Sequence, residues 1–128
     1  MPIVTIEIVD RDSSRAVGSH VTQSLADQLG DIFGSAPGTT WVKISRVHES
    51  EYAENRVRPD KSVKPTFIEI LKRELPSEDE LAIEATKIAK VVADVLERPE
   101  QNTHVIYLPE GAGRVAFGGN LVRREPGS

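Results

Sequence analysis

The chain of 128 residues contains no cysteine, so disulfide bonds and thiolate metal sites are excluded. It has no basic excess either: 16 lysines and arginines against 20 aspartates and glutamates disfavour a general nucleic-acid binder. No apolar run approaches the roughly 20 residues that a membrane-spanning helix needs. The first residues lack the basic region and the cleavage site of a secretory signal peptide. We therefore expect a cytoplasmic protein without membrane or nucleic-acid partners.

The composition that is present suits one globular domain, residues 1–128, because 38% of the residues are hydrophobic and 28% are charged. A strand begins almost at residue 2, where a chain terminus is commonly frayed. Ile3 to Val9 alternates between an apolar and a polar face, as a half-buried strand does. The apolar face carries Val4, Ile6 and Ile8.

A helical period follows this strand, from about Ser14 to Gly34, where the glycine is suited to end the helix. Its apolar stripe comprises Val17, Val21, Leu25, Leu29, Ile32 and Phe33. A turn at residues 36–38 leads into a second alternating strand, Trp41 to Val47. Residues 48–63 are polar and have no clear period, which predicts a connecting loop.

The same order of elements then recurs. Residues 67–71 read as a strand, and the capping box at 77–80 opens a helix that runs to about Glu97. The apolar stripe of this helix comprises Leu81, Ala85, Ile88, Val92, Val95 and Leu96. Residues 105–108 predict a further strand. Glycines in 111–122 predict a closing hairpin, and 123–128 a frayed tail.

The two halves match at an offset of 62 residues, which aligns 6–11 with 68–73. The chain is therefore a duplicated β-α-β unit, with copies at 2–47 and 64–108. Each crossover is long enough to join parallel strands. The predicted fold class is α+β: a four-stranded mixed sheet with two helices on one face. The other face of the sheet is left uncovered, and oligomerisation is the simplest way to cover it.

Two segments carry a resemblance to a known family. Pro2 directly follows the initiator methionine and leads into an apolar strand, and residues 113–121 form a glycine-rich stretch near the C-terminus. With the doubled β-α-β pattern, the chain resembles the tautomerase superfamily, which includes 4-oxalocrotonate tautomerase and macrophage migration inhibitory factor. The resemblance implies a homotrimer of doubled chains with sites between subunits. It also implies an N-terminal proline that acts as acid and base, and no cofactor.

The chemistry of a free prolyl amine suits that role. An α-amino group titrates near 7.7–8.0, a prolyl amine is somewhat more basic, and burial or a nearby cation lowers such a pKa. An amine poised near neutral pH can remove a proton next to a carbonyl group and return it elsewhere. This requires that Met1 be removed, because the nitrogen of Pro2 is otherwise an amide. The alternative is that Pro2 merely begins a strand.

Two arginines are candidates to bind the carboxylate of a substrate, since a guanidinium pairs with both oxygens. Arg11 and Arg73 occupy equivalent positions in the two copies. Nine strand-like steps from Pro2 to Arg11 span roughly 30 Å, so Arg11 cannot serve Pro2 in its own chain. If the first strands of the copies run antiparallel, Arg73 lies near Pro2, and Arg11 lines a vestigial pocket near 64–65. The alternative is that both arginines are solvated at strand ends.

Three further residues are candidate substrate contacts. His104 looks like the position where relatives place a side chain that reaches a neighbouring subunit's site, although it equally fits a half-exposed strand histidine. Tyr52 and Asn55 lie in the loop that is least repeat-like, where specificity is often carried, or they are ordinary solvated residues. The three histidines lack the spacing of metal ligands, so we expect no metal site.

The sequence departs from its relatives at two points. Thr40 stands where decarboxylase relatives have an acid, and Leu75 and Pro76 stand where dehalogenase and decarboxylase relatives add an arginine. The expected activity is therefore cofactor-independent keto-enol tautomerisation of a small carboxylate-bearing 2-oxo acid. Hydratase, dehalogenase or decarboxylase activity is the alternative within the family. A non-catalytic trimeric relative with a blocked or unused proline amine is the alternative outside enzymes.

Overall fold

The structure is a computed structural model that describes residues 2–11, 17–58 and 65–124. Its elements in chain order are β1 (Ile3–Asp10), α1 (Ser19–Phe33), β2 (Trp41–His48), β3 (Thr66–Leu71), α2 (Glu78–Leu96), β4 (Thr103–Tyr107), β5 (Ala116–Phe117) and β6 (Asn120–Leu121). Two single turns of 3-10 helix, Glu49–Glu51 and Glu100–Asn102, follow β2 and α2. Within the described ranges, no helix is both long and apolar enough to cross a membrane.

Four strands form one mixed sheet in the order β2-β1-β3-β4, which confirms the predicted fold class. β1 is parallel to β2, β3 is parallel to β4, and β1 pairs with β3 in the antiparallel sense. Ile6 lies directly opposite Ile68, its own equivalent in the repeat. A local two-fold axis therefore passes between these residues and relates the two β-α-β copies. β5 and β6 form a separate hairpin.

Both helices end on residues in the left-handed conformation. Gly34 ends α1 with φ 66°, and the backbone N–H of Ser35 donates to the carbonyl of Gly30 at 2.9 Å. α2 opens as the capping box predicts, since the hydroxyl of Ser77 accepts a hydrogen bond from the backbone N–H of Glu80. It ends at Glu97, with φ 55°.

The start of α1 differs from the sequence expectation. The helical period predicted a start at about Ser14, which lies outside the described residues, but Val17 and Gly18 are not helical. Gly18 has a φ of 101°, which an α-helix cannot accommodate, so the helix begins at Ser19. Val17 nevertheless packs against the core, which explains why it continued the apolar pattern.

The core lies between one face of the sheet and the two helices. Nine side chains with at most 1% exposure form it: Val4, Ile6, Ile8, Leu25, Leu29, Ile68, Ile70, Ile88 and Val92. Burying each contributes about 1.5–3 kcal/mol in transfer free energy. Among the described residues, the opposite face is largely open to solvent: Trp41 is 50% exposed although the Phe117 ring packs edge-on against it at 5.2 Å, and Ile106 is 44% exposed. This arrangement agrees with the expectation that one face needs a partner.

Candidate active site

The antiparallel pairing of β1 and β3 brings the start of the chain beside the end of the third strand. Ile3 is opposite Leu71, so Pro2 lies next to the residues that follow β3. Pro2 is buried, and its carbonyl accepts a hydrogen bond from the backbone N–H of Trp41 at 3.0 Å. The position of Pro2 is thus fixed by both neighbouring strands.

Pro2 lines a pocket of about 380 Å³ in which three elements meet. The start of β1, the end of α1 and the residues after β3 form its wall. The lining residues are Pro2, Phe33, Gly34, Ser35, Ala36, Thr39, Lys72, Arg73 and Glu74. Pro2 and Arg73 therefore share one pocket, as the antiparallel arrangement predicted.

The C-terminal segment orients Arg73. The Nη2 group of Arg73 donates to the carbonyl of Arg123 at 3.0 Å, and the backbone N–H of Ala112 donates to the Arg73 carbonyl at 3.2 Å. Gly113 allows the segment to pass closely, because its φ is 81° and an added Cβ would lie 3.2 Å from Nε of Arg124. Arg123 and Arg124 thus have specific contacts, whereas the sequence suggested a frayed tail from residue 123.

Lys72 is a pocket residue for which the sequence predicts no role. Its Nζ lies 2.9 Å from Oε1 of Glu84 on α2 and 5.2 Å from the centre of the Phe33 ring. The hydroxyl of Tyr107 donates to Oε2 of the same carboxylate at 2.6 Å. Burial, together with the hydrogen bond to Glu84, raises the pKa of Tyr107 above its ordinary value. The signal in the sequence was a mismatch between the repeats, where Lys72 aligns with an acid, Asp10.

At the equivalent end of the first copy, an acid occupies the position that Lys72 has in the second copy. Oδ2 of Asp10 lies 2.5 Å from Nη1 of Arg46 and 3.4 Å from Nη2 of Arg98. Arg98 also donates to the carbonyl of Val9 at 2.9 Å, and its side chain is 7% exposed. This burial lowers the pKa of Arg98, although the charge of Asp10 raises it. In the first copy, the position equivalent to Lys72 is therefore occupied by a carboxylate, Asp10, which balances the charges of two arginines.

Arg11 lies at this opposite end of β1, away from Pro2. Its Nε is 3.5 Å from Oε1 of Glu49, and its side chain is 61% exposed. The nearby backbone N–H of Val9 donates to the carbonyl of Pro65 at 3.1 Å, so this end of β1 does face the start of the second copy. Lys64 lies outside the described residues. The vestigial pocket at Arg11 stays a prediction.

His104, Tyr52 and Asn55 do not line the pocket of Pro2 within the chain. The ring of Phe67 lies 5.5 Å from that of His104 and 6.0 Å from that of Tyr52, which places these rings near the start of β3. Since Pro2 lies beyond the other end of β3, opposite position 72, five strand steps or about 17 Å separate the two groups. Asn55 is exposed in the loop that follows β2. Their predicted roles would need a neighbouring subunit.

Tyr52 also has an internal partner. Its hydroxyl donates to Oε2 of Glu54 at 2.6 Å, and this hydrogen bond, with burial as a smaller cause, raises the pKa of Tyr52 to about 12. A substrate that used this hydroxyl as a donor would have to displace Glu54. In the part of the chain that the structure describes, no group of three or more histidines and acids could hold a metal ion.

Solved structures with the same fold include tautomerases and macrophage migration inhibitory factors. A fused 4-OT symmetric trimer matches with a TM-score of 0.73 at 8% identity, covering 94% of this chain and 94% of that one. A fused 4-OT asymmetric trimer matches at 0.71 and 16% identity, covering 92% and 95%. The macrophage migration inhibitory factor of Trichinella spiralis matches at 0.69 and 13% identity, covering 93% and 98%.

No protein-family model matches the chain, and no curated protein does. The structural similarity thus extends over almost the whole chain while the sequences have diverged widely. It confirms the tautomerase fold that the resemblance implied.

Proposed function

We propose that this chain is a member of the tautomerase superfamily that interconverts the keto and enol forms of a small 2-oxo acid. Pro2, with its nitrogen freed by the removal of Met1, is the general acid and base. Met1 itself lies outside the described residues. The observation that carries the proposal is that Pro2 and Arg73 line the same pocket.

The reaction needs only a proton carrier and an anchor. The uncharged amine of Pro2 takes a proton from the carbon next to the carbonyl group, and the electron pair of that C–H bond forms the enol double bond. The carbonyl oxygen receives a proton from water, and the prolinium releases its proton to the solvent, so atoms and charge balance without an oxidant or a cofactor. In the reverse direction, the prolinium returns its proton to carbon.

The environment of Pro2 favours this use. Pro2 is buried in the chain, and burial disfavours a charged amine, so the uncharged form is retained at lower pH than in water. Arg73 supplies a planar pair of donors that matches a carboxylate, and its bond to the Arg123 carbonyl holds the guanidinium in orientation. Together they place a base and an anion anchor in one cavity.

The other predicted substrate contacts, which lie outside the Pro2 pocket of their own chain, require an assembly of several subunits. The two fused 4-OT structures named above are described as trimers, and the described part of this chain leaves one sheet face largely open to solvent, where a partner would pack. We propose a homotrimer in which His104 of one subunit, with Tyr52 and Asn55 nearby, approaches the Pro2 pocket of another. His104 would then polarise the oxygen of the substrate.

Water-activating chemistry is less well supported. Thr40, at the position where decarboxylase relatives have an acid, donates its hydroxyl to Oγ of Ser35 at 2.6 Å, and Ser35 lines the pocket. The backbone N–H of Leu75 donates to Oε2 of Glu110, at one of the positions where an arginine would be added. These two positions therefore support scaffold contacts rather than a charged catalytic group.

The test begins with the intact mass, because a retained Met1 contradicts the proposal and favours a non-catalytic ligand-binding relative. The processed protein is then assayed for ketonisation of phenylenolpyruvate beside Pro2→Ala. Pro2→Ala replaces the rigid secondary amine by a more mobile primary α-amine and is expected to lower kcat, by at most the roughly 10²–10⁴-fold that a general base contributes. Equal rates for the two proteins would remove Pro2 from the mechanism.

A further inference from the structure

Lys72 lines the Pro2 pocket, and the proposed reaction gives it no role. Its side chain is only 17% exposed and is held by the Glu84 carboxylate at 2.9 Å and by the face of the Phe33 ring. Tyr107 in turn holds the second oxygen of Glu84 at 2.6 Å. A lysine with this many fixed partners keeps its charge in one place, which a solvated lysine does not.

The C-terminal end of α1 lies at the same pocket and explains why a fixed positive charge matters there. α1 ends at Phe33 with no basic residue in its last turn, and four residues from Phe33 to Ala36 line the pocket. The C-terminal end of a helix carries a partial negative charge of roughly half an electron, which stabilises a nearby cation. Without compensation, this end of α1 would favour the protonated form of the Pro2 amine, which cannot act as a base.

The repeat offers an internal comparison. Lys72 is equivalent to Asp10, and Tyr107 is equivalent to Arg46, because Tyr107 pairs with Ile70 as Arg46 pairs with Ile8. At the end of the scaffold without a prolyl amine, the strand ends in an acid between two arginines. At the Pro2 end the same strand position is a lysine paired with one carboxylate, Glu84. This position therefore has a cation in the copy with the proline and an acid in the copy without it.

We propose that Lys72 keeps the Pro2 amine in its uncharged form, and that Glu84 and Tyr107 are positioning residues that fix Lys72 at the pocket wall. The inference rests on the proposed function, because it assumes that Met1 is removed. Among the described residues, the ionisable groups that line the pocket or hold its lysine are Lys72, Arg73, Glu74, Glu84 and Tyr107. The two cations and two carboxylates balance, so removing any one of them changes the local charge.

The test replaces each member of the Lys72–Glu84 ion pair in turn, because the two replacements should shift the pKa of Pro2 in opposite directions. The pKa of the Pro2 amine is measured by NMR titration of its ¹⁵N signal and by the pH dependence of kcat/KM for phenylenolpyruvate. Lys72→Met leaves Glu84 unbalanced and is expected to raise the pKa of Pro2 by about one unit. At pH values below that pKa, kcat/KM falls about tenfold. Glu84→Gln leaves Lys72 unbalanced and is expected to lower the pKa of Pro2.

Three further variants separate charge from packing. Lys72→Arg retains the cation and is expected to shift the pKa of Pro2 far less than Lys72→Met does. Tyr107→Phe removes the bond that fixes Glu84 and is expected to produce a smaller shift than Glu84→Gln. Lys90→Met removes an equal charge from a solvent-exposed pair with Asp94 on α2 and is expected to leave both the pKa and the rate unchanged.

The outcomes distinguish this inference from the proposed function. An unchanged pKa of Pro2 in folded Lys72→Met, or shifts of the same sign in Lys72→Met and Glu84→Gln, would overturn the role of Lys72 alone. If Lys72→Met fails to fold, a shift to lower pKa in Glu84→Gln supports the role and no shift refutes it. Equal rates for Pro2→Ala and the parent refute the proposed function, while the NMR titration still reports whether Lys72 governs the amine.

Discussion

Replacing Arg73 with alanine is expected to weaken substrate binding far more than the same replacement at Arg11. The two arginines are equivalent in the repeat, but only Arg73 lines the pocket of Pro2. Arg11 lies at the far end of β1, where it is 61% exposed beside Glu49. The pair is therefore a matched comparison in which residue type and repeat position are constant and location differs.

The size of the effect follows from the geometry of Arg73. Hydrogen bonds to charged groups contribute about 1.5–3 kcal/mol each, but a half-buried site with water access retains only part of that gain. We expect a loss of about 2–3 kcal/mol for Arg73→Ala, which corresponds to a fall of roughly 30–150-fold in kcat/KM, carried mainly by KM. Arg11→Ala removes an exposed ion pair and is expected to change kcat/KM less than about twofold.

Steady-state kinetics with a carboxylate-bearing enol substrate measures both variants, and thermal unfolding verifies that each remains folded. Arg73→Lys provides a graded control, because a lysine keeps the charge but loses the paired donors, so its KM is expected to fall between those of the parent and Arg73→Ala. A larger KM for Arg11→Ala than for Arg73→Ala would refute the assignment of the anchor to the end of β3.

Three further predictions concern stability and ionisation. Ile68→Ala, at a fully buried position opposite Ile6, is expected to lower the free energy of unfolding by about 2–5 kcal/mol in urea titrations, and a loss below 1 kcal/mol would contradict the packing described. Asp10→Asn leaves the buried Arg98 without its counter-charge and is expected to cost about 1–3 kcal/mol in the same assay; the double variant with Arg98→Met should recover part of this loss, and no recovery would argue against the ion pair. Because the folded pKa of Tyr52 is raised to about 12, its contribution to stability is complete below pH 10 and is lost as the pH rises through 12. Because the pKa of Tyr107 is raised as well, absorbance of tyrosinate near 295 nm should stay low at pH 10–11, and Tyr52→Phe should reduce, without abolishing, the loss of stability above pH 10.

Much of the fold was predictable because its signals are local. Alternating apolar residues predicted β1, the capping box at Ser77 predicted the start of α2, and a glycine suited to the left-handed conformation predicted the end of α1 at Gly34. One exception, the start of α1, shows the limit of periodicity: Val17 packs against the core without being helical, since a loop residue can also contact the core.

The repeat extended these local signals to topology and to the site. An offset of 62 residues related the two copies, and a local two-fold between them required β1 and β3 to be antiparallel. That single geometric step placed Pro2 beside Arg73 and separated Arg11 from both. No side-chain contact had to be known for it, because strand direction alone decides which ends meet.

What the sequence by itself determined is therefore the arrangement of backbone elements and the neighbourhood of Pro2. The tertiary structure decided which charges meet there. Lys72 contacts Glu84 from another element and, through it, Tyr107, while Asp10 meets two arginines at the opposite end. Such contacts depend on how helices and strands pack, to within an ångström or two, between residues far apart in the chain. A pattern of residue types contains no information on distances of this kind. Which charged side chains meet at the Pro2 pocket therefore had to be determined from the folded chain.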